Sequence, residues 1–169
     1  MSIQLEKLQL ADLHPLYEFE RENRHFFEKM VPSRGDDYYR LDTFEKNHKA
    51  LLDEQTRGEA FYSLIKDEHG HILGRMNLTD IDLTERSGSI GYRIGEEHTG
   101  KGIAYQALEL FLEDLSHNGI RRVFAKTTTN HIASQKVLEK NGFEYRWTDD
   151  EVFEMNGQLL KFVYYEKIL

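Results

Sequence analysis

The sequence of 169 residues contains no cysteine, only two prolines and no long apolar run. Without cysteine the chain can form no disulfide and no thiolate metal site. No stretch approaches the roughly 20 apolar residues that a transmembrane helix requires. The N-terminus lacks the basic start and apolar core of a secretory signal. These absences predict a cytoplasmic protein without a membrane partner.

Basic residues are fewer than acidic ones, at 22 against 30, which gives a net charge of −8. Proteins that bind nucleic acid usually present a basic face, so this balance argues against a nucleic-acid partner. An acidic surface would instead attract cationic partners such as amines or basic peptides. A bound polyanion would need local compensation from lysines or from backbone dipoles.

The length fits a single domain over residues 1–169, because no linker, repeat or low-complexity tract interrupts the chain. The apolar patterns predict an α/β fold in which a mixed sheet of about seven strands is flanked by about four helices. A turn at Asn156-Gly157 is expected to join the last two strands. The predicted strands are 3–8, 60–65, 71–78, 87–94, 122–128, 143–147 and 161–167, and the predicted helices are 13–30, 42–58 (or 43–58), 103–117 and 133–140.

A glycine-rich turn between a strand and a long helix is the first segment that points to chemistry. Gly100, Gly102 and Ala104 lie within five residues and lead into the helix. Small residues let backbone N–H groups approach a ligand, and the helix N-terminus adds free donors, so a phosphate or pyrophosphate fits. The spacing is neither that of a Walker loop nor G-x-G-x-x-G, since Tyr105 occupies the third glycine position. Alternatively, the glycines only shape the turn.

A second segment follows the next predicted strand, at residues 130–143. Asn130 would leave the strand with its side chain free to bond a ligand amide. Ser134 would lie on the first turn of the following helix and face the same crevice. The alternative is that Asn130 caps the helix and that Ser134 is a solvated helical serine.

Together the two segments resemble the GNAT superfamily of acetyltransferases, whose acyl-CoA motif is R/Q-x-x-G-x-G/A. Residues 99–104 align with that motif, although Thr99 replaces the usual arginine or glutamine. The later segment is similar to the branch of ribosomal-protein N-terminal acetyltransferases known as the RimJ/RimL group. Its matching residues are Asn130, Ser134, Val137, Leu138, Gly142 and Phe143. The resemblance spans nearly the whole chain and implies the GNAT fold.

The resemblance implies a binding mode for acetyl-CoA. The backbone amides of Gly100, Lys101, Gly102, Ile103 and Ala104 would cradle the pyrophosphate of coenzyme A. Thr99 would lose one side-chain contact to the phosphates, which tunes affinity without abolishing binding. The Lys101 side chain could add charge or could simply be solvated.

The same resemblance implies roles near the thioester. The main chain of Tyr92 and Ile94 would pair with the pantetheine arm like an added strand. The Tyr92 amide N–H would donate to the thioester oxygen and stabilise the oxyanion. Asn130 would bond the pantetheine. Ser134 would lie near the sulfur as a general acid or as an orienting group for the thiolate.

A general base is harder to identify from the sequence. In the resembling group a glutamate four residues before a turn glycine often removes the proton of the amine, but that position here holds Phe153. Glu154 is the candidate, and it would need a strand bulge to point inward; otherwise it is a solvated glutamate. Glu20 and Glu22 could hold a cationic amine, or could lie on an exposed helix face. The eight histidines show no metal-ligand spacing, so no metal is expected.

The sequence therefore predicts an acetyl-CoA-dependent N-acetyltransferase that acts on a protein N-terminus, a peptide or a small amine. The alternative is a non-catalytic acyl-CoA-binding module that senses or scaffolds. A dinucleotide binder fits poorly, because repeated parallel βαβ units are not evident. The protein could be a monomer or a homodimer, in which an exposed C-terminal strand could pair across the interface.

Overall fold

Seven strands form one mixed sheet in the computed structural model, which describes residues 2–169. The order across the sheet is β1-β2-β3-β4-β5-β9-β6. These strands are β1 Ile3–Lys7, β2 Phe61–Asp67, β3 Ile72–Asp82, β4 Ser87–Ile94, β5 Arg122–Thr128, β6 Glu144–Thr148 and β9 Phe162–Ile168. Two further short strands, β7 Phe153–Met155 and β8 Gln158–Leu160, form a separate hairpin. The helices are α1 Leu13–Glu28, α2 Leu41–Thr56, α3 Ile103–His117 and α4 Ile132–Lys140.

The sheet changes character between β4 and β5. Strands β1 to β4 pair antiparallel, whereas α3 carries the chain from β4 to β5, which run parallel. The two parallel strands pair only where Ser87–Ser89 meets Arg122–Phe124. Beyond Ser89 they separate, and an opening remains between their carboxyl ends.

Two apolar clusters lie on opposite faces of the sheet. Alternate residues of a strand point to opposite faces, and on β2 Leu64 contacts one cluster while Ile65 contacts the other. The cluster with Leu64 includes Phe44 of α2 and residues of α1. The cluster with Ile65 includes Phe111 and other apolar residues of α3. Helices α1 and α2 therefore cover one face, and α3 covers the other.

The predicted α/β architecture, with its mixed sheet and four flanking helices, is confirmed, but the Asn156-Gly157 turn connects different strands from those expected. It joins β7 to β8 and not the last two strands of the main sheet. Asn156 has a φ of 52° and Gly157 a φ of 77°. Two successive positive φ values are the geometry of a tight two-residue hairpin, so the turn creates a local hairpin of its own.

The C-terminal strand is not a free edge. Strand β9 pairs with β5 on one side and with β6 on the other. The expectation that this strand could pair across a dimer is therefore wrong, because its backbone groups are already bonded on both sides. None of the helices in the described part of the chain combines the length and the apolar character of a bilayer-crossing segment.

Replacement of Phe111 by alanine tests the core under α3. The Phe111 side chain is fully buried. We expect Phe111→Ala to lower the free energy of unfolding by about 3–5 kcal/mol, because a large cavity opens against the sheet. Urea unfolding followed by circular dichroism measures the loss. The control is Glu109→Ala on the exposed side of the same helix, and equal losses in the two variants would contradict this packing.

Candidate active site

The opening between β4 and β5 continues into a cleft of about 910 Å³. The N-terminus of α3 and the side of α4 form one end of this cleft. The end of α1, the loop after it and the β7–β8 hairpin form the other. The cleft therefore crosses the sheet at the point where the parallel strands separate.

The backbone of β4 presents polar groups to this opening. The Gly95 N–H donates to the Leu73 carbonyl of β3 at 2.8 Å. Because backbone groups alternate sides along a strand, Arg93 also faces β3, while Tyr92 and Ile94 direct their N–H and C=O groups away from it. Pairing of β4 with β5 has already ended at Ser89. The peptide groups of Tyr92 and Ile94 thus face the gap.

The glycine turn has the conformation that only glycine adopts without strain. Gly100 has a φ of 73° and Gly102 a φ of 76°, and a Cβ built at either meets no atom within 4 Å. Glycine is therefore required at these two positions by the left-handed backbone and not by a lack of room for a side chain. Gly102, Ile103 and Ala104 all line the cleft. The first helical bond runs from the Gln106 N–H to the Gly102 carbonyl at 3.1 Å, so the amides at 103–105 precede the hydrogen-bonded helix.

Thr99 precedes the two glycines, and Lys101 lies between them. The Thr99 hydroxyl donates to the Glu96 carbonyl at 2.9 Å, so its side chain stabilises the turn. Thr99 lines the cleft, whereas Lys101 is exposed and lies outside the lining.

Ser134 and Tyr92 meet across the cleft. The Tyr92 hydroxyl lies 3.4 Å from the Ser134 Oγ, and both side chains are half-buried. Ser134 is the third residue of α4. Burial raises the pKa of the Tyr92 phenol, which therefore stays protonated at neutral pH. The two hydroxyls therefore lie close to each other beside the exposed edge of β4.

The Asn130 side chain is already bonded elsewhere. Its Oδ1 accepts from the Thr128 hydroxyl at 2.7 Å, and its Nδ2 donates to the Gln158 Oε1 at 2.7 Å. Asn130 is exposed and does not line the cleft. The structure therefore does not place this side chain where the sequence-based expectation needed it.

Glu154 also lies outside the cleft, which corrects its proposed position as an inward-facing base. The β7–β8 register is regular, with Phe153 opposite Leu160 and Glu154 opposite Leu159. Without a bulge, the alternation directs Phe153 and Met155 into the cleft and leaves Glu154 exposed.

The β7–β8 hairpin is the element that the sequence analysis missed. The Asn156 side chain donates to the carbonyls of Glu28 and Lys29 at 3.1 Å each, which ties the turn to the end of α1. The Phe153 ring stacks on Phe162 with centroids 4.5 Å apart. The hairpin thus closes one side of the cleft. Its sequence signal is the Asn-Gly pair itself, preceded by the alternating apolar residues Phe153 and Met155.

Glu20 does not lie on an exposed helix face, and it is not free to hold a cationic amine, so both expectations for this residue are wrong. Glu22 does lie on the exposed face of α1. The Glu20 side chain is fully buried, with Oε1 at 2.8 Å from Arg75 Nη1 and Oε2 at 3.2 Å from Arg93 Nη1. Burial alone would raise the pKa of Glu20, but the two guanidiniums outweigh it and lower the pKa below 4.5. Glu20 is therefore ionised at neutral pH and serves the two arginines.

His48 completes this buried cluster as a neutral ring. Arg75 Nη1 lies 3.2 Å from His48 Nε2, and His48 Nδ1 lies 2.8 Å from the Phe44 carbonyl. Since a guanidinium only donates and a carbonyl only accepts, Nδ1 bears the proton. Burial and the Arg75 charge lower the pKa of His48 to about 4. The ring contributes no charge at neutral pH.

His131 is a further residue of interest that the sequence analysis did not single out. It immediately precedes α4 and lines the cleft. Burial lowers the pKa of His131 below 6.5, so its imidazole is neutral and able to accept a proton at neutral pH. Among the described residues that line the cleft there is no aspartate or glutamate. A proton acceptor inside the cleft is therefore a histidine or water.

Replacement of Glu20 by glutamine tests the buried ion cluster. We expect Glu20→Gln to destabilise the fold by about 3–5 kcal/mol at neutral pH, because two buried guanidiniums lose their counter-charge. The lowered pKa of Glu20 means that its stabilisation is present above 4.5 and disappears as the pH falls through the folded-state value. The difference between the variant and the wild type should therefore shrink in acid.

Urea unfolding at neutral pH and at a series of acidic pH values measures both effects. The control is Glu22→Gln on the same helix, an exposed position where we expect a change within about 0.5 kcal/mol. A Glu20→Gln variant as stable as the control at neutral pH would refute the role of the cluster.

The sequence matches the family profile described as the Acetyltransferase (GNAT) domain over residues 2–144. It is 28% identical over 162 residues to a probable N-acetyltransferase, YjcK, of Bacillus subtilis strain 168, with 92% of this chain and 88% of that protein covered. It is 24% identical over 152 residues to the ribosomal protein uS5-alanine N-acetyltransferase of Escherichia coli strain K12, covering 87% of this chain and 77% of that one.

The fold is also similar to that of solved structures. The ribosomal L7/L12 α-N-protein acetyltransferase RimL, in complex with coenzyme A, superimposes with a TM-score of 0.90. The superposition covers 100% of this chain and 95% of that one, at 20% identity. At this identity the similarity extends to the fold and not to individual side chains.

Proposed function

This chain belongs to the acetyltransferase (GNAT) family, and we propose that it moves the acetyl group of acetyl-CoA to a primary amine by direct attack in a ternary complex. It is an acetyl-CoA-dependent N-acetyltransferase. The observation that supports the proposal most is the gap between β4 and β5, where the outward-facing peptide groups of Tyr92 and Ile94 adjoin the left-handed glycine turn. We further propose that residues 1–169 act as one catalytic domain.

The glycine turn would hold the cosubstrate through its backbone. The amides from Gly100 to Ala104 would donate to the pyrophosphate, assisted by the positive end of the α3 dipole. The peptide groups of Tyr92 and Ile94 would bond the pantetheine arm along the edge of β4. The Thr99 hydroxyl donates to the Glu96 carbonyl and is not needed to bind the phosphates. Recognition through the backbone therefore explains how Thr99 can replace a longer side chain.

Groups on and beside the same edge of β4 would act on the thioester. The Tyr92 N–H would donate to the carbonyl oxygen of the acetyl group as negative charge develops on it. The amine nitrogen forms the new bond to the acetyl carbon, and the carbon–sulfur bond breaks. The Ser134 hydroxyl, whose Oγ lies 3.4 Å from the Tyr92 hydroxyl, would give its proton to the departing sulfur. The proton that the attacking amine loses would restore the Ser134 hydroxyl.

The attacking amine must be neutral, and the cleft favours a weakly basic one. An α-amine has a pKa of about 8, so a useful fraction is neutral near physiological pH, whereas lysine at about 10.4 is almost fully protonated. No carboxylate lines the described cleft to remove a proton from a strongly basic amine. We assign the remaining proton transfer to His131 or to water, and Glu154 plays no part in it.

A protein or peptide N-terminal α-amine therefore fits better than a lysine side chain. Two of the similar proteins are named as acetyltransferases of ribosomal proteins, which supports a protein acceptor. An acceptor of that kind would be met in the cytoplasm. Free small amines of comparable pKa remain within the proposal.

Replacement of Gly102 by alanine tests the cofactor turn. We expect Gly102→Ala to weaken acetyl-CoA binding about tenfold or more, because loss of the left-handed geometry redirects backbone donors. Calorimetry measures the affinity, and the thermal midpoint with and without acetyl-CoA gives an independent reading. The control is Gly58→Ala, which has a φ of 75° and equally open space but lies at the end of α2. Equal weakening in both variants would show that backbone strain alone explains the effect.

Replacement of Ser134 by alanine tests catalysis separately from binding. We expect Ser134→Ala to lower kcat about tenfold to a hundredfold, since the departing sulfur loses its proton donor, while acetyl-CoA affinity stays nearly constant. Thiol release in the presence of α-amine peptides measures the rate. The control is Ser116→Ala, at an exposed position of α3.

The same assay separates the enzyme from a non-catalytic acyl-CoA-binding module. An enzyme releases thiol in proportion to the added amine. A module would bind acetyl-CoA without any amine-dependent release across peptides, lysine, polyamines and aminoglycosides. That result would overturn the proposed function while leaving the cofactor site intact.

A further inference from the structure

The cleft has a charge opposite to that of the protein as a whole. The chain has a net charge of −8, yet the described residues that line the cleft include six arginines and lysines and no aspartate or glutamate. Lys136 and Lys140 lie on α4, beside the cofactor turn, and suit the phosphates of coenzyme A. The other four cations are Arg34, Arg75, Arg93 and Lys126.

These four cations lie on the other side of the cleft. Arg75 of β3 and Arg93 of β4 are cross-strand partners, and both contact Glu20 of α1, so they project from the face that α1 covers. On β5 the Ala125 side chain joins the opposite cluster, which puts the adjacent Lys126 on the α1 face too. The acceptor would enter on this face.

The buried part of this group has an unbalanced charge. Glu20 is a single carboxylate shared by two guanidiniums, and His48 is neutral. The side chains of Arg75 and Arg93 are only 5% and 16% exposed. One positive charge thus remains uncompensated in a desolvated setting, which is costly unless an anion completes it.

Arg75 and Arg93 both line the cleft, where their guanidinium groups could contact a ligand anion. Among the described residues, no acceptor lies within hydrogen-bond distance of the buried Arg75 Nε–H, although Arg75 lines the cleft and the Tyr38 hydroxyl interacts with its guanidinium. Burial lowers the pKa of Arg93, and the charges of Arg34 and Arg75 lower it further, against the opposing effect of Glu20. The Arg93 guanidinium lies 4.7 Å over the Phe27 ring, so its plane is fixed at the cleft wall.

Arg34 and Lys126 add exposed positive charge to the lining of the cleft. The Arg34 guanidinium lies 4.9 Å from the centroid of Tyr38, and the Lys126 ammonium lies 4.6 Å from that of Phe162. Both residues are exposed, and each rests on an aromatic ring that fixes its position. Together with Arg93 they give this lining two accessible cations and one half-buried cation.

We infer that the acceptor carries a carboxylate close to its reactive amine, and that Arg34, Arg93 and Lys126 bind this carboxylate. The inference rests on the proposed acetyl transfer and names its substrate class: an acidic peptide N-terminus, or a short peptide whose own C-terminal carboxylate lies near the amine. Arg75 and Glu20 hold Arg93 in place behind the contact. Polyamines and lysine-rich peptides would meet like charge and are disfavoured.

A panel of peptides with the same N-terminal alanine tests the inference. The three C-terminally amidated peptides begin Ala-Asp-Glu, Ala-Asn-Gln and Ala-Lys-Lys, and the dipeptide Ala-Ala is used with a free and with an amidated C-terminus. The kcat/KM is measured at saturating acetyl-CoA. Binding of each peptide to the CoA-loaded protein is measured by calorimetry, so the preference is read without turnover.

We expect the acidic peptide to exceed its amide isostere by about tenfold or more, the effect of one charge-assisted hydrogen bond, and the lysine peptide to rank last. The free and amidated dipeptides show whether a terminal carboxylate substitutes for the side-chain one. In Arg34→Gln and Arg93→Gln the ratio of acidic to neutral peptide should fall. Arg21→Gln, on the exposed surface of α1 outside the cleft, is the control and should keep the wild-type ratio.

Equal or better binding of the neutral or lysine peptide by the wild-type protein would overturn the inference. So would a ratio that Arg34→Gln leaves unchanged, and because Arg34 is exposed this variant is not expected to affect folding. Acidic preference in binding with no thiol release from any amine would support the anion site and overturn the acetyl transfer. Acetyl transfer at equal rates to the acidic and the neutral peptide would support the acetyl transfer and overturn the anion site.

Discussion

The separation of β4 from β5 is the constraint on which the rest of this structure depends. Parallel strands cannot be joined by a tight turn, so α3 carries the chain between them. Pairing lasts only from Ser87 to Ser89, and the remaining edge of β4 keeps its peptide groups directed into the gap. A strand edge that would otherwise invite aggregation becomes a polar slot, bounded by α3 on one side and by the β7–β8 hairpin on the other.

Charge is distributed so that the cleft and the outer surface differ in sign. The acidic surface gives the chain its net charge of −8, while the cleft is lined by cations and by backbone donors. Glu20 is buried beneath this lining and is the counter-charge that allows Arg75 and Arg93 to lie inside the fold. The same ion cluster therefore joins α1 to the sheet and places positive charge on the α1 side of the cleft.

Residues that depend on local geometry were predicted well from the sequence. Gly100 and Gly102 adopt the left-handed backbone that a glycine turn implies, and Ser134 lies in the first turn of α4. Residues that depend on distant partners were not. Glu20 looked like one of several surface glutamates, because its partners Arg75 and Arg93 are more than 50 residues away in the chain. Glu154 failed as an inward base because the hairpin register is regular.

The sequence by itself determined the order of helices and strands, the family resemblance and the glycine turn before α3, because each depends on periodicity or on backbone preferences within a short segment. Only the tertiary structure decided that β9 lies between β5 and β6, that Asn156 ties the hairpin to α1, and that no carboxylate is among the described residues that line the cleft. Those features arise where segments far apart in the chain meet. The free energy of burying a charge or of pairing a strand edge depends on those contacts, which the local sequence does not contain.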